Sequence, residues 1–261
     1  MTFPQIDPVI FSLGPLQVRW YGLMYVIGFL IAGFLLKKLV QRNFFKVGVE
    51  KIDSLITTML ICMFLGARLI YVFVYNWDYY SHNLAELLSV WKGGLSFHGA
   101  IIGLVVGGII FARRNNIPWF QVMDSVALAG CPGLFFGRMG NFINGELYGR
   151  VTDSPLGMVF PNGGPYPRHP SQLYEGILEG VVLTLILWLV VRRVKVYGII
   201  CAFFLIGYGS FRYFVEFFRE ADKQLGYYFA GTTTMGQILC LLMIIAGVLL
   251  MGFARKKNYK V

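Results

Sequence analysis

Ser125-Val-Ala-Leu-Ala-Gly-Cys-Pro-Gly-Leu-Phe-Phe-Gly137 is an apolar run without a charge, and Arg138-Met-Gly-Asn-Phe-Ile-Asn-Gly-Glu-Leu-Tyr-Gly149 follows it directly. The first half has the composition of a helix in a bilayer. The second half brings an arginine, two asparagines and a glutamate within nine residues, Arg138 to Glu146. Polar groups at the edge of a span are costly unless paired or wetted, so they read as a functional site. The glycines at 137, 140, 145 and 149 let the backbone turn tightly or approach a ligand closely. The bland alternative is a helix end whose polar side chains reach back to the interface.

Working outward, the same composition recurs. Trp20 to Leu36 has no charge over 17 residues, and Gly231 to Ala254 has none over 24. Leu95 to Ala112 carries only His98 as a titratable group over 18 residues. Crossing a bilayer takes about 20 apolar residues. The 261 residues are 57% hydrophobic and 14% charged, against about 25% charged for a soluble domain. The reading is an all-α integral membrane protein, a single bundle of about seven transmembrane helices. The spans are expected near 18–37, 54–75, 95–112, 121–140, 171–191, 197–216 and 233–254. Residues 1–17, with Pro4, Pro8, Gly14 and Pro15, are expected to be irregular. The first apolar run is read as a retained span, because no basic segment precedes it. A small outer cap is expected over 144–170, between spans four and five, and a short helix over Leu84 to Trp91.

The net charge of +10 raises a nucleic-acid partner, and its distribution argues against one. Fourteen of the 23 Lys and Arg residues follow spans one, three, five and seven, including Lys37, Arg113, Arg192 and Arg255. Six, Arg19, Lys92, Arg150, Arg168, Arg219 and Lys223, fall on the other side. The richer side is cytoplasmic by the positive-inside rule, so the N-terminus faces out and the C-terminus in. The four cysteines sit in apolar runs without CxxC spacing, and the histidines at 82, 98 and 169 lack metal-ligand spacing. No metal and no cofactor is expected.

With that orientation, Arg68, Arg138 and Arg212 lie near the outward ends of spans two, four and six. His98, Tyr21, Glu175 and Glu179 lie near the outward ends of theirs. A single arginine there ordinarily snorkels, and Glu216 with Arg212 and Arg219 can form a plain ion-pair ladder. Convergence at one depth changes the reading. Arginines gathered in a low dielectric repel one another and need acids or an anionic ligand among them. Guanidinium forks grip phosphate bidentately, and the phosphate available at that depth is a phospholipid head group. His98 is the group there whose residue type suits general-base work near neutrality. Asn141 and Tyr21 offer hydrogen bonds to glycerol or ester oxygens. Hydrolysis, transfer to a second substrate, or lipid transport by a phospholipid transporter or flippase are the chemistries these residues allow.

The sequence resembles the bacterial prolipoprotein diacylglyceryl transferases through nearly its whole length. The resemblance rests on G-R-M-G-N-F-I-N-G-E-L-Y-G at 137–149, W-Y-G-L-M-Y at 20–25, G-G-L-S-F-H-G at 93–99, R-H-P-S-Q-L-Y-E at 168–175 and G-Y-G-S-F-R-Y-F-V-E-F-F-R at 207–219. It implies transfer of the sn-1,2-diacylglyceryl group of phosphatidylglycerol to the lipobox cysteine of a preprolipoprotein, in the bacterial inner membrane. A thioether forms and glycerol 1-phosphate leaves. It further implies His98 as a candidate base, Arg138 as a phosphate ligand and Arg212 as a catalytic group. Tyr21, Asn141, Asn144, Glu146, Gly149, Tyr208 and Arg219 are implied as substrate-binding positions.

Overall fold

The computed structural model describes residues 1–14, 16–87, 89, 93–220, 227–228 and 233–261. Pro15, Trp91, Lys92, Lys223 and Gly231, used in the sequence reading, lie outside the described residues. In chain order the elements are β1 (Val9–Leu13), β2 (Leu16–Arg19), α1 (Trp20–Gln41), α2 (Lys51–Ile70) and α3 (Trp77–His82). Then come α4 (Phe97–Asn115), α5 (Trp119–Ile143), α6 (Ser171–Glu175), α7 (Leu183–Val190) and α8 (Ile199–Glu216). The short strands β3 (Tyr227–Tyr228) and β4 (Thr233–Thr234) precede α9 (Met235–Lys257). Two π-helical stretches interrupt the α geometry: Tyr71–Tyr75 extends α2, and Gly176–Val182 joins α6 to α7.

Among the described residues seven helices are long and apolar enough to cross a membrane, by length and composition: 20–41, 51–75, 97–115, 119–143, 171–190, 199–216 and 235–257. They overlap the seven runs expected from the sequence, and the protein is a multi-pass, predominantly helical membrane protein. Two expectations are corrected. Residues 9–13 and 16–19 are not irregular: β1 pairs antiparallel with β2, and Gly14 has a left-handed backbone at φ 59°. Where a helix is expected over Leu84 to Trp91, the described residues form a 3-10 turn at Leu84–Glu86, preceded by α3, and Leu88 and residues 90–91 lie outside the described residues.

The helix ends follow local chemistry. Ser96 caps α4 by accepting from the Gly99 N–H at 3.1 Å, and Asn116 closes it in the left-handed conformation. Thr234 and Gln237 form a reciprocal capping box at the start of α9, and Arg255, Lys256 and Lys257 occupy its last turn. Helix α8 has no cap of its own. A tertiary carboxylate replaces it: the wholly buried Asp124 of α5 accepts from Gly198 N at 2.7 Å and Cys201 N at 2.8 Å. This satisfies two of the orphan N–H groups at the helix start.

The chain divides into two compact units, residues 36–123 and residues 1–35 with 124–261. In the first, α2 packs on α4 backbone to backbone. A Cβ at Gly99 would collide with the Gly66 carbonyl oxygen, and one at Gly103 with the Cys62 carbonyl oxygen. Spacing small residues by four lets helices approach this closely in lipid, where van der Waals packing and not the hydrophobic effect drives association.

In the second unit the π-helical stretch lies against α5 through Gly176 and Gly180. A Cβ at Gly180 would stand 2.5 Å from the Phe135 backbone nitrogen. Segment 144–170 folds back on itself: Val151 and Met158 both bridge to Arg168. Phe160 packs with Phe3 and Phe142 in a small apolar cluster. The N-terminal ammonium donates to the Gly157 carbonyl at 2.7 Å.

Candidate functional site

The second unit gathers charge around one carboxylate. Glu175, at the end of α6, is wholly buried. Its Oε2 lies 2.6 Å from Arg138 Nη2 of α5 and accepts from Arg212 Nη1 of α8 at 2.6 Å. Its Oε1 accepts from Arg219 Nη1 at 2.8 Å. Glu216, one turn beyond Arg212 on α8, lies 3.3 Å from both Arg212 Nη2 and Arg219 Nε. The Thr234 hydroxyl donates to Glu216 Oε1 at 3.0 Å. Helix periodicity explains the Arg212–Glu216 register, i and i+4 on one face of α8, and Arg219 follows three residues later, just past the end of that helix.

The electrostatic balance of this cluster is informative. Three guanidiniums carry about fifteen N–H donors, and only a few are engaged by Glu175 and Glu216. Arg219 Nε is buried without an aligned hydrogen-bond acceptor, although Glu216 is close. The side chains of Arg138, Arg212 and Arg219 keep 23%, 16% and 13% of their surface exposed. The cluster therefore has donor capacity to offer an anion, in surroundings that strengthen such bonds.

The signature stretch wraps this cluster. Asn141 and Asn144 each donate to Glu146 Oε1, at 2.9 and 3.1 Å. Gln172, next to Ser171 at the start of α6, donates to the Glu146 carbonyl at 2.6 Å. Gly145 turns the chain at φ 65°. Gly149 N donates to the His169 carbonyl at 2.8 Å, and a Cβ there would collide with the Phe218 carbonyl oxygen. Gly149 thus brings 144–170 against the end of the segment that holds Arg219, to which it bridges. A Cβ at Gly140 would lie 2.6 Å from the Tyr21 ring, so that glycine seats Tyr21, whose hydroxyl meets the Tyr25 hydroxyl at 3.1 Å. Tyr208, one turn before Arg212 on α8, stacks on Phe204. His169 makes ring contact with Phe218 and its Nδ1 meets the Tyr174 hydroxyl at 3.2 Å. Partial burial holds its imidazole below the usual 6.5.

His98 belongs to the other unit, at the first turn of α4, where it is exposed and its Nδ1 lies 3.1 Å from the Tyr75 hydroxyl. In that unit Arg68 departs from expectation. It is not an arginine awaiting an anion. Buried to 3% exposure, it donates to the carbonyls of Glu86, Leu87, Gly93 and Gly94 and to the Tyr80 hydroxyl, at 2.7–3.2 Å. The loop after α2 is built around it. A loop supplying its own acceptors is invisible in composition, which is why the sequence grouped Arg68 with Arg138 and Arg212.

The sequence reading under-weighted Glu175, placing it with Glu179 near the outward end of its span without a role of its own. Its place in the H-P-S-Q-L-Y-E run was the available signal. Among the described residues no three His, Cys, Asp or Glu side chains gather into a possible metal site.

A family model described as prolipoprotein diacylglyceryl transferase matches residues 8–253. A phosphatidylglycerol–prolipoprotein diacylglyceryl transferase from Oleidesulfovibrio alaskensis is 49% identical over 258 residues, covering 99% of this chain and 97% of that protein. Its namesake in Nitratidesulfovibrio vulgaris strain DP4 is 49% identical over 260 residues, covering 100% and 99%. That in Photobacterium profundum is 48% identical over 260 residues, covering 100% and 97%. The match spans both units and every residue of the arginine cluster, and the chain belongs to the prolipoprotein diacylglyceryl transferase family.

Proposed function

We propose that this diacylglyceryl transferase moves the sn-1,2-diacylglyceryl group of phosphatidylglycerol to the lipobox cysteine thiol of a preprolipoprotein. The sulfur attacks the glycerol carbon bearing the phosphate. The carbon–oxygen bond to phosphate breaks as the carbon–sulfur bond forms, the thiol proton passes to a base, and glycerol 1-phosphate leaves. The observation that carries this reading is the cluster of Arg138, Arg212 and Arg219 around Glu175, with donor capacity beyond what its acids use. Guanidiniums there hold the lipid phosphate and stabilise the charge that grows on it as the bond breaks. The same positive surroundings favour the substrate thiolate. His98 is the candidate base. Tyr21, Asn141, Asn144, Glu146, Gly149 and Tyr208 shape the lipid and peptide sites, directly or through the turns they hold.

The excess of Lys and Arg after alternate spans supports a cytoplasmic C-terminus and an outward N-terminus, in a bacterial inner membrane. The cluster then faces the outer side, with 144–170 as a cap above it. The names carried by the relatives support transfer over lipid transport. The experiment is reconstitution with phosphatidylglycerol and a lipobox peptide. A thioether-linked diacylglyceryl group on the peptide cysteine is expected. An unmodified peptide, with the protein folded and both substrates present, defeats the reading.

A further inference from the structure

One turn along from Glu175 stands a second carboxyl group that no ion pair or cap accounts for. Glu179 lies in the π-helical stretch Gly176–Val182 and is wholly buried. Neither of its side-chain oxygens has a hydrogen-bond partner among the described residues. The two other acids in contact with these arginines are ion-paired: Glu175 with three guanidiniums, and Glu216 with Arg212 and Arg219 at 3.3 Å through an Oε2 that has no aligned hydrogen bond, its Oε1 accepting from Thr234. A buried carboxylate with no donor is among the most costly groups a fold can hold, whereas the neutral acid costs far less. It lies four residues after Glu175, on the same buried face. π-Helical turns displace side chains from α register and recur at functional sites, and the stretch is pinned to α5 through Gly176 and Gly180.

The groups acting on Glu179 come from every neighbouring element. They are Glu175 on α6, Arg138 on α5, Arg212 on α8 and Arg219 beyond it; Cys131 on α5, Tyr208 on α8 and Cys240 on α9 feel its charge in turn, and Glu216 on α8 faces the same arginines. Charges on this set decide what the cluster will bind. With Glu175 and Glu216 ionised, three guanidiniums leave a single unit of positive charge, provided that Glu179 is neutral. An ionised Glu179 cancels it.

We propose that Glu179 is the charge-setting residue of the arginine cluster: as a neutral carboxylic acid it leaves one positive charge for a singly charged phosphodiester, and its ionisation releases that anion. Glu179 is a positioning residue in this scheme, since it acts on the phosphate through Arg138 and Arg212. The inference rests on the proposal that the anion among the arginines is a lipid phosphate.

The test uses the full-length protein in detergent with dioctanoyl phosphatidylglycerol and no peptide, so that binding is read without the thiol's own titration. The wild type is compared with Glu179→Gln and Glu179→Leu from about pH 6 to about pH 9. Infrared spectra follow the carbonyl stretch of a protonated carboxyl group. The expected result is a band in the wild type at neutral pH that both variants lack, and that fades as pH rises. Wild-type affinity should fall alongside it, approaching tenfold per pH unit for one coupled proton, and both substitutions should abolish the fall. The inference is overturned by a band that Glu179→Gln leaves in place, by a wild-type affinity that does not change over the range, or by variants that show the same fall. Peptide transfer by the wild type is assayed in parallel near neutral pH. Transfer with no Glu179 effect sinks only this inference, whereas absence of transfer sinks the functional reading beneath it.

Discussion

Arg212 and Glu175 meet across two helices at 2.6 Å, and the same Glu175 oxygen lies 2.6 Å from Arg138. One oxygen thus receives guanidiniums from α5 and α8, while the other receives Arg219. This makes Glu175 the assembly point of the cluster. It aligns three planar cations that repel one another when unpaired, and leaves them with donors to spare.

Removing that assembly point has a structural cost. Glu175→Gln leaves partly buried guanidiniums without their shared counter-charge, and breaking a buried pair from one side costs about 3–5 kcal/mol. The expected outcome is a marked fall in thermal stability of the detergent-solubilised protein, together with lost transfer. A melting temperature equal to wild type contradicts the hub assignment.

Arg138 tests geometry against charge. Arg138→Ala is expected to cut transfer by about 100-fold or more, the scale of losing a charge-stabilising donor. Arg138→Lys keeps the charge and loses the planar fork, so a deficit of about tenfold or more is expected. Both proteins should reach the membrane, because Arg138 keeps part of its surface exposed. Kinetics on proteoliposomes with matched protein content decide the matter, and full activity in Arg138→Lys refutes a bidentate contact.

Arg68 should behave quite differently from Arg138. Its donors are spent on the loop carbonyls of Glu86, Leu87, Gly93 and Gly94. Arg68→Ala removes the shared donor of four partly buried carbonyls, at about 1 kcal/mol for each bond lost. The expected signature is faster proteolysis within 76–94, with phosphatidylglycerol affinity within about twofold of wild type, against a large loss in an Arg138→Ala control. A large loss of lipid binding with an intact loop reverses this assignment.

Helix packing gives a fourth test. Gly103→Ala sets a Cβ against the backbone of Cys62 and Met63, which cannot swing aside as a side chain does. Overpacking of about 1–3 kcal/mol is expected, read as a lower melting temperature. Gly130→Ala, where a Cβ meets nothing within 4 Å, should be near neutral.

His169 predicts the direction of one pH effect. Burial lowers its folded-state pKa below 6.5, so the unfolded chain binds its proton more readily. Its contribution is present above pH 6.5 and declines as pH falls through that value toward the folded-state pKa. Melting curves should show this acid-side loss, and His169→Phe should lessen it.

Much of the architecture was readable in the sequence, because bilayer thickness forces uninterrupted apolar runs and little competes with that signal. The elements it missed are those set by partners distant in the chain. The Asp124 cap of α8 joins residues more than seventy apart. The acceptors of Arg68 are backbone carbonyls, which every residue carries and no composition reveals. The π-helical turns at Tyr71–Tyr75 and Gly176–Val182 leave apolar periodicity nearly unchanged. For the candidate site, charges at matching depth pointed to Arg138 and Arg212. They did not distinguish Glu175, which collects the guanidiniums, from Glu179, which has no partner among the described residues.

The most direct test of the central claim is the phosphorus NMR signal of phosphatidylglycerol in the presence of the protein, compared between wild type and Arg138→Ala at equal concentration. If the guanidiniums around Glu175 hold the lipid phosphate, the resonance shifts or broadens saturably with the wild type and stays near its lipid-only position with the variant. An equal, saturable response from both proteins contradicts the claim.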